Sequence, residues 1–330
     1  MPRLVCSLGP DTAGDLIAGL VEAAGDRLDL AVYELGPSYA GLVAAAARRG
    51  VRVRLLLDGH AGANATTASM LAGTGATVRV RSHVDGAEAH WKLLLGGGGT
   101  LAVGSGNLIA RDAPHRPAGG PGTREWWLAV DGATALAAGA RAAVDAAWAT
   151  AGPPPASWTG VAAAAPPVGA PRPAVPLLEL EVAETALELA TGGAAVATLL
   201  GRLLGGARRR ALCTVPYAHP HVAAVAALLD RLRAAAERGA DARLLLGSPP
   251  EPDDLAALCA RGLEVRVMDP TRSTTGHAKG LVADSTAVAG SANWSHAGLG
   301  GNLEAALAVT DPAAAGYFAA AFDRDWAVSD

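Results

Sequence analysis

Two short stretches of the chain carry the same set of reactive side chains. One reads GHAKGLVADSTAVAGSANWS, Gly276 to Ser295, and the other AHWKLLLGGGGTLAVGSGNL, Ala89 to Leu108. Each presents His, one residue, Lys, an apolar run, a turn and Gly-Ser-x-Asn. On a strand, residues i and i+2 share a face, so His277 and Lys279 point the same way. The apolar GLVA, a turn at Asp284-Ser285 and a returning TAVAG form a hairpin that brings Ser291 and Asn293 back beside them. His90, Lys92, Ser105 and Asn107 form the matching group around the turn Gly96-Gly97-Gly98-Gly99. An imidazole, an ammonium, a hydroxyl and a carboxamide in one small volume suit a tetrahedral anion. If the two groups face each other, an imidazole lies on each side of a phosphorus. One attacks and the other protonates the leaving oxygen.

The use of lysine sharpens this reading. The chain has 27 basic residues, of which Lys92 and Lys279 are the only lysines. An ammonium is a compact point charge where a guanidinium is a planar fork, so these positions call for the point charge. The lysines would neutralise charge as a metal often does. No cluster has metal-ligand spacing, and a metal-independent reaction with no cofactor is expected.

Composition sets the frame. The chain has 330 residues, 51% hydrophobic and 18% charged, with a net charge of −4. That gives ample core and no global attraction to nucleic acid or anionic membrane. Cys6, Cys213 and Cys259 are too few and too scattered for a disulfide framework. The N-terminus does not read as a signal peptide, and no apolar run reads as a spanning helix. A soluble cytoplasmic protein without stable membrane insertion is expected.

The elements that must position the two groups repeat as well. The Pro- and Ala-rich segment 152–176 reads as a linker. On either side, apolar strands alternate with alanine-rich helices in the same order. In the first half the strands are LDLAVYEL, VRVRLLLDG and TVRVRS, with PSYAGLVAAAARRG as a helix. In the second, ALCTVPYA, DARLLLGS and LEVRVMD are strands around HVAAVAALLDRLRAAAERG and DDLAALCARG, and TALELATGGAAVATLLGRLLGG is mainly helical. The exits also match: Glu125-Trp-Trp-Leu-Ala-Val against Glu304-Ala-Ala-Leu-Ala-Val. Strand–helix alternation implies α/β architecture. Residues 1–151 and 177–330 are expected to be duplicated α/β/α halves with mainly parallel sheets, packed around a pseudo-two-fold axis. Such a chain completes its site as a monomer, and a homodimer is not forbidden.

The set His277, Lys279, Asp284, Gly290, Ser291 and Asn293 resembles the signature of the phospholipase D superfamily, and the duplicated βα order resembles it over nearly the whole chain. The resemblance implies a phospholipase D-like fold and a phosphohistidine intermediate resolved by water or an alcohol. It also implies that an acidic residue beyond each motif holds its histidine; Glu125 and Glu304 are the candidates. A carboxylate on one ring nitrogen fixes the tautomer and frees the other. The N-terminal histidine of relatives is commonly the nucleophile, which gives that role to His90 and the acid/base role to His277. The first copy departs from the pattern, with Gly97 where Asp284 stands in the second. An Asp can bond nearby backbone, and Gly can turn tightly by another route, so the loss is expected to be tolerated.

Ser105, Ser291 and Asp284 are read as supporting residues. Tyr33 and Glu34, and Tyr217, His219 and His221, follow strand ends where pocket rims lie, and are weaker substrate-binding candidates. Trp126 and Trp127 alternate, so one should face each side of its strand. Arg208-Arg209-Arg210 reads as a solvated helix end. The substrate is a phosphodiester, nucleic acid or phospholipid. A cytoplasmic nuclease-like hydrolase is favoured; a phospholipase or phosphatidyl transferase is the alternative. A non-catalytic phosphate-binding protein of the same fold is a third reading.

Overall fold

The computed structural model describes residues 1–82, 86–115, 121–156, 158, 174–272 and 274–330. Most of the expected linker, 157 and 159–173, lies outside the described residues, as does His83. In chain order the elements are β1 (Arg3–Gly9), α1 (Ala13–Glu22), β2 (Arg27–Val32), α2 (Pro37–Arg48), β3 (Arg52–Asp58), α3 (Asn64–Leu71), β4 (Thr77–Arg81), β5 (Lys92–Gly96), β6 (Leu101–Gly104), β7 (Thr123–Asp131) and α4 (Thr134–Thr150). After the linker come β8 (Leu178–Glu181), β9 (Leu187–Thr191), α5 (Gly193–Gly206), β10 (Arg210–Val215), α6 (Ala223–Glu237), β11 (Asp241–Leu246), α7 (Pro252–Ala260), β12 (Glu264–Val267), β13 (Thr275–Gly276), β14 (Gly280–Ala283), β15 (Thr286–Gly290), β16 (Ala305–Thr310) and α8 (Pro312–Ala327).

The duplication extends to strand order. One sheet runs β4-β3-β2-β5-β6-β7-β1-β8 and the other β12-β11-β10-β14-β15-β16-β9. Strand direction corrects the expectation of mainly parallel sheets. Only β2-β3-β4 and β10-β11-β12 pair in parallel along these paths; the remaining neighbours are antiparallel. A helix between two strands is long enough to return the chain to the same end of the sheet. A short hairpin reverses it. The βα alternation describes the first part of each half, and the motif hairpins make the second part antiparallel.

Three further strands depart from the sequence reading. β1 enters its sheet antiparallel to β7. β9 takes the start of a segment expected to be mainly helical and pairs with β16. β8 lies beyond the expected boundary at 176/177, yet joins the edge of the first sheet against β1. All three pair antiparallel, through sequence-distant contacts that local periodicity does not carry.

Each sheet has two buried faces. Leu28, Leu30, Val43, Leu55 and Trp127 belong to a core between the first sheet and α1, α2 and α3. Cys213, Leu228, Leu232 and Leu244 belong to the matching core under α5, α6 and α7. The third core is shared: Leu93, Val103, Trp126 and Leu128 of the first half meet Ala287, Ala289, Leu307 and Phe318 of the second. As expected from alternation, Trp126 and Trp127 face opposite sides of β7. Trp126 packs against Phe318 with ring centroids 4.7 Å apart. Its ring lies so close to Gly280 that a Cβ there would come within 2.1 Å of it. A glycine immediately after Lys279 therefore lets the halves approach.

Candidate active site

β5 opens on Lys92 and β14 on Gly280, directly after Lys279, and both histidines sit just before those strands in the seam between the halves. Main-chain bonds cross the seam beside each histidine. The His277 N–H donates to Arg124 O at 3.0 Å, next to β13 pairing with β7, and the Leu303 N–H donates to Glu88 O at 2.9 Å. Arg124 is itself anchored across the seam by a two-pronged pair with Asp325 on α8, at 2.7 and 3.0 Å.

The result is a reciprocal exchange. His90 Nδ1 lies 2.9 Å from Glu304 Oε1 and 3.1 Å from Oε2. His277 Nδ1 lies 2.6 Å from Glu125 Oε1. Each glutamate thus holds the histidine of the other half, which corrects the expectation that it holds its own. The reason lies in the strands: Glu125 on β7 and Glu304 before β16 project from one half into the seam, where the opposite motif enters. With each Nδ1 donating to carboxylate, the tautomer that keeps a lone pair on Nε2 is favoured.

The serines brace the glutamates from within their own halves. Ser105 Oγ donates to Glu125 Oε2 at 2.5 Å and accepts from Trp126 N at 3.0 Å. Ser291 Oγ donates to Glu304 Oε2 and accepts from Ala305 N at 3.0 Å. Each lysine folds back on its own motif: Lys92 Nζ donates to His90 O at 2.8 Å and Lys279 Nζ to His277 O at 2.7 Å. Lys279 Nζ also lies 2.8 Å from His277 Nε2.

Burial sets the protonation. Desolvation lowers Lys92 to about 8 and Lys279 to about 7, against the pull of Glu304 and Glu125 respectively. Desolvation also lowers His90, with Glu304 opposing and Lys92 adding to the effect. The two lysines thus stand at the edge of losing their charge near neutral pH, and an incoming phosphate dianion or diester would hold them protonated.

Asn107 and Asn293 lie in equivalent places after the serines. Asn107 donates from N and Nδ2 to Asp112 Oδ2 at 3.2 and 3.0 Å. The side-chain oxygens of both asparagines are buried without a partner in the described structure. Buried polar atoms are rarely left so; these oxygens are acceptors, so what completes them there brings a donor, such as a water or alcohol hydroxyl.

The rim candidates gather at the same end. Tyr33 meets the His90 ring edge-on at 5.1 Å, and Lys92 Nζ lies 5.3 Å from the Tyr33 ring centre. Burial raises Tyr33 to about 12, with Glu88, Asp58, Glu34 and Tyr217 adding negative potential. Burial also raises Tyr217, which feels Glu88 and Glu304. Tyr217 packs on His219 at 5.0 Å. His219 Nδ1 lies 2.8 Å from Asp254, and the more exposed His221 lies 3.8 Å from it. Glu34 accepts from Ala63 N at 2.9 Å and so also ties down a loop.

Asp284 is placed elsewhere. It sits at the far end of β14 and accepts from the backbone N–H groups of Arg208, Arg209 and Arg210 at 2.8–3.3 Å. It fastens the hairpin to the start of β10, and the arginine run it caps is solvent-facing. A groove of about 560 Å³ beside Gly96–Gly98 and α1 likewise lies away from the histidines.

Sequence reasoning missed Asp112, Thr123, Arg124, Glu88 and Asn302. Asp112, Glu125 and His277 bring ligand-type atoms within 4.8 Å of one another. Those atoms are already committed, Glu125 to His277 and Asp112 to Arg111, Asn107 and Thr123. With Lys279 against the same imidazole, the set reads as a hydrogen-bond network and not as a cation cage. Each of these residues supports a motif residue through space, so no fixed sequence spacing announces it.

Residues 200–326 match the family model described as "Cardiolipin synthase, PLD-like domain". None of the curated proteins matches the chain. Among solved structures, phosphatidylserine synthase from Haemophilus influenzae aligns over 100% of this chain and 89% of its own, at 11% identity and a TM-score of 0.71. Polyphosphate kinase from Porphyromonas gingivalis aligns over 98% of this chain and 50% of its own, at 16% identity and a TM-score of 0.61. Nuc from Salmonella typhimurium aligns over 46% of this chain and 97% of its own, at 18% identity and a TM-score of 0.41. Residues 200–326 thus match a PLD-like domain, and the N-terminal half repeats its strand order and motif.

Proposed function

We propose that the protein cleaves a phosphodiester through a covalent phosphohistidine, passing the phosphoryl group to water or an alcohol. The observation that carries this reading is the reciprocal pairing of His90 with Glu304 and His277 with Glu125. Each carboxylate holds one ring nitrogen, turning the other toward the shared seam. One imidazole attacks and the other hands its proton to the leaving oxygen. Lys92, Lys279, Asn107 and Asn293 supply the positive charge and amide donors for the anionic transition state. Members of the superfamily hydrolyse or transfer phosphodiesters, which supports the same class of reaction.

For the substrate, the described rim favours a single phosphodiester of lipid type over a polynucleotide. Tyr33, Glu34, Glu88 and Tyr217 surround the approach, and a neighbouring phosphate of a polynucleotide would meet carboxylates there. Affinity for a polyanion needs Lys or Arg beside the track. Arg111, beside the Asp112–Glu125 network, is itself paired with Asp112 at 2.9 Å. The name of the matched family model points the same way. Both motifs lie in one chain, so a monomer suffices. Unpaired cysteines fit a cytoplasmic setting, and no described helix is long and apolar enough to cross a membrane.

The test is turnover of bis(p-nitrophenyl) phosphate with acid-quench mass spectrometry, followed by phosphatidylcholine vesicles, single- and double-stranded DNA and RNA in parallel. The expected result is an acid-labile phosphoryl adduct on a motif histidine and cleavage of lipid ahead of nucleic acid. Full activity in a His90→Ala, His277→Ala double variant ends the proposal. Cleavage of nucleic acid alone overturns the substrate assignment and leaves the chemistry standing.

A further inference from the structure

The two motif asparagines occupy equivalent places, but only one has its carboxamide turned by a carboxylate. Asn107 is 7% exposed, and Asp112 beside it is fully buried. Asn107 N and Nδ2 donate to Asp112 Oδ2 at 3.2 and 3.0 Å. Arg111 Nε donates to the other oxygen, Oδ1, at 2.9 Å. Burial pushes the Asp112 carboxyl up, but His277, Arg111 and Lys279 outweigh it and hold it below its ordinary value. An ionised carboxylate accepts and cannot donate, so the amide nitrogen of Asn107, and not its oxygen, must face Asp112. Oδ1 is thereby turned away from Asp112, buried and unpartnered in the described structure. The second half lacks this device. The position equivalent to Asp112, five residues after the motif asparagine, is Gly298. A Cβ there would come within 2.3 Å of Asn293 O, so the backbone admits no carboxylate.

We infer that Asn107, turned by Asp112, holds the water that resolves the covalent intermediate, which makes the protein a hydrolase and not a transferase. That assignment rests on the phosphohistidine reading above and names its acceptor. Asn107 stands at the seam where the acceptor must enter. Ser105 O, two residues before it, accepts from Lys279 Nζ at 3.4 Å. Thr123 Oγ1 lies 3.2 Å from Asp112 Oδ1 and 3.0 Å from Glu125 Oε1, which joins Asn107 to the carboxylate that holds His277. An oxygen that attacks phosphorus gives one proton to the imidazole that does not carry the phosphoryl group. A simple alcohol has no other hydroxyl proton. Water has a second, and a fixed carboxamide oxygen is an acceptor for it. The site thus grips water at two points and a simple alcohol at one. Asn107 Nδ2 keeps its other N–H for a phosphoryl oxygen, so one amide serves both partners of the reaction.

The step balances. The water oxygen bonds to phosphorus as the P–N bond breaks, and the electron pair of that bond returns to the histidine ring. One water proton passes to the other imidazole. The second stays on the new hydroxyl and is donated to Asn107 Oδ1. A phosphomonoester, a neutral ring and a protonated partner ring result.

The experiment reads partition between two products. Bis(p-nitrophenyl) phosphate is turned over in water containing a fixed concentration of ethanol, and the early ratio of ethyl p-nitrophenyl phosphate to p-nitrophenyl phosphate is measured. Both products leave one intermediate, so partial unfolding or a weakened site lowers both and leaves their ratio alone. Asn107→Ala should raise the ethyl product relative to hydrolysis by about fivefold, the effect of one lost hydrogen bond. Asp112→Asn should shift the ratio the same way, because an amide at 112 can accept or donate and no longer fixes Asn107. Asn293→Ala should slow turnover with the ratio near that of wild type. An unchanged ratio in Asn107→Ala, whatever its rate, overturns the inference and leaves a structural amide. An equal shift in Asn293→Ala overturns it too, since the turned carboxamide would then have no special part. A shift in Asn107→Ala without one in folded Asp112→Asn removes Asp112 as the positioning residue. If Asp112→Asn does not fold, the two asparagine variants decide. p-Nitrophenyl 2,4-dinitrophenyl phosphate tests the reading beneath, because loss of dinitrophenolate yields the same intermediate and should give the same wild-type ratio. A ratio that changes with the leaving group would instead remove the phosphohistidine.

Discussion

Set side by side, the two halves agree at the atoms nearest the chemistry and differ in what stands behind them. Both histidines meet a glutamate from the other half. Both glutamates are braced by a serine, and both lysines fold back on the histidine carbonyl. Behind this shell, Thr123 and Asp112 on one side face Asn302 and Glu88 on the other. At the distant turn, Asp284 faces Gly97. Displacement at phosphorus needs one imidazole to attack and one to hand over a proton, and the inner contacts keep both rings in position.

The sharpest way to break that comparison is to remove each ring in turn. His90→Ala should abolish turnover, by on the order of 10⁴-fold or more. His277→Ala should cost roughly 10²–10⁴-fold and less on substrates with good leaving groups. In a rapid-quench time course the His277 variant should also accumulate phosphohistidine on His90, since hydrolysis lacks its base. An adduct on His277 in the His90 variant would reverse the assignment.

Next in size is the crossed pairing. Glu304→Gln should cost about 10²-fold or more by slowing formation of the adduct, and Glu125→Gln a similar factor by slowing leaving-group protonation and hydrolysis. Double-mutant cycles on kcat/KM should couple His90 with Glu304, and His277 with Glu125. Coupling within each half instead would dismantle the crossed arrangement.

This crossing marks where legibility in the sequence ends. His90, Lys92, His277 and Lys279 were readable because their spacing is local and repeated, and the hairpin that returns Asn293 follows from one turn. Glu125 and Glu304 were readable as a matched pair but not as partners of particular histidines. Which ring each meets depends on how β7 and β16 sit across the seam, and no stretch of either half encodes that alone. β1, β8 and β9 escaped for a related reason, since their pairing partners are far away in sequence. Asp112 escaped because its duplicate position is glycine, so a search for repeated features passes over it.

The lysines provide a stability readout of the same seam. Unfolded, each has its ordinary value of 10.5; folded, burial lowers Lys92 to about 8 and Lys279 to about 7. Between those values the native state binds fewer protons than the unfolded chain, so stability rises with pH in that window. Below about 7 both states carry the charges, and the buried ammoniums cost their full desolvation. The melting temperature should therefore rise from neutral pH toward 9, and added inorganic phosphate should raise it most near neutrality, where it finds both ammoniums. Catalysis should fall across the same interval as the ammoniums are lost. A melting temperature that falls steadily above neutral pH would show that the lysines are not buried as charged groups here.

The smallest effect comes from the turns, which differ most openly in sequence. Asp284 holds φ at +51°, a left-handed value that costs a non-glycine residue energy. It sustains that conformation through N–H groups donated by three successive arginines. In the first half, Gly97 leaves room that Asp26 occupies; a Cβ on Gly97 would lie 2.4 Å from Asp26 Oδ1. A carboxylate therefore lies near the motif turn in both halves, reached from the hairpin in one and from the residue before β2 in the other. Asp284→Ala should cost about 1–2 kcal/mol in denaturant unfolding, from bonds to an ionised acceptor lost at a largely exposed site. It should leave kcat/KM within about twofold, because the turn supports the strand end away from the histidines. Gly97→Asp should destabilise rather than restore anything, by setting a second carboxylate against Asp26. If Gly97→Asp raised activity, the signature aspartate would have a catalytic part that neither turn displays, and the agreement between the halves would have to be redrawn around it.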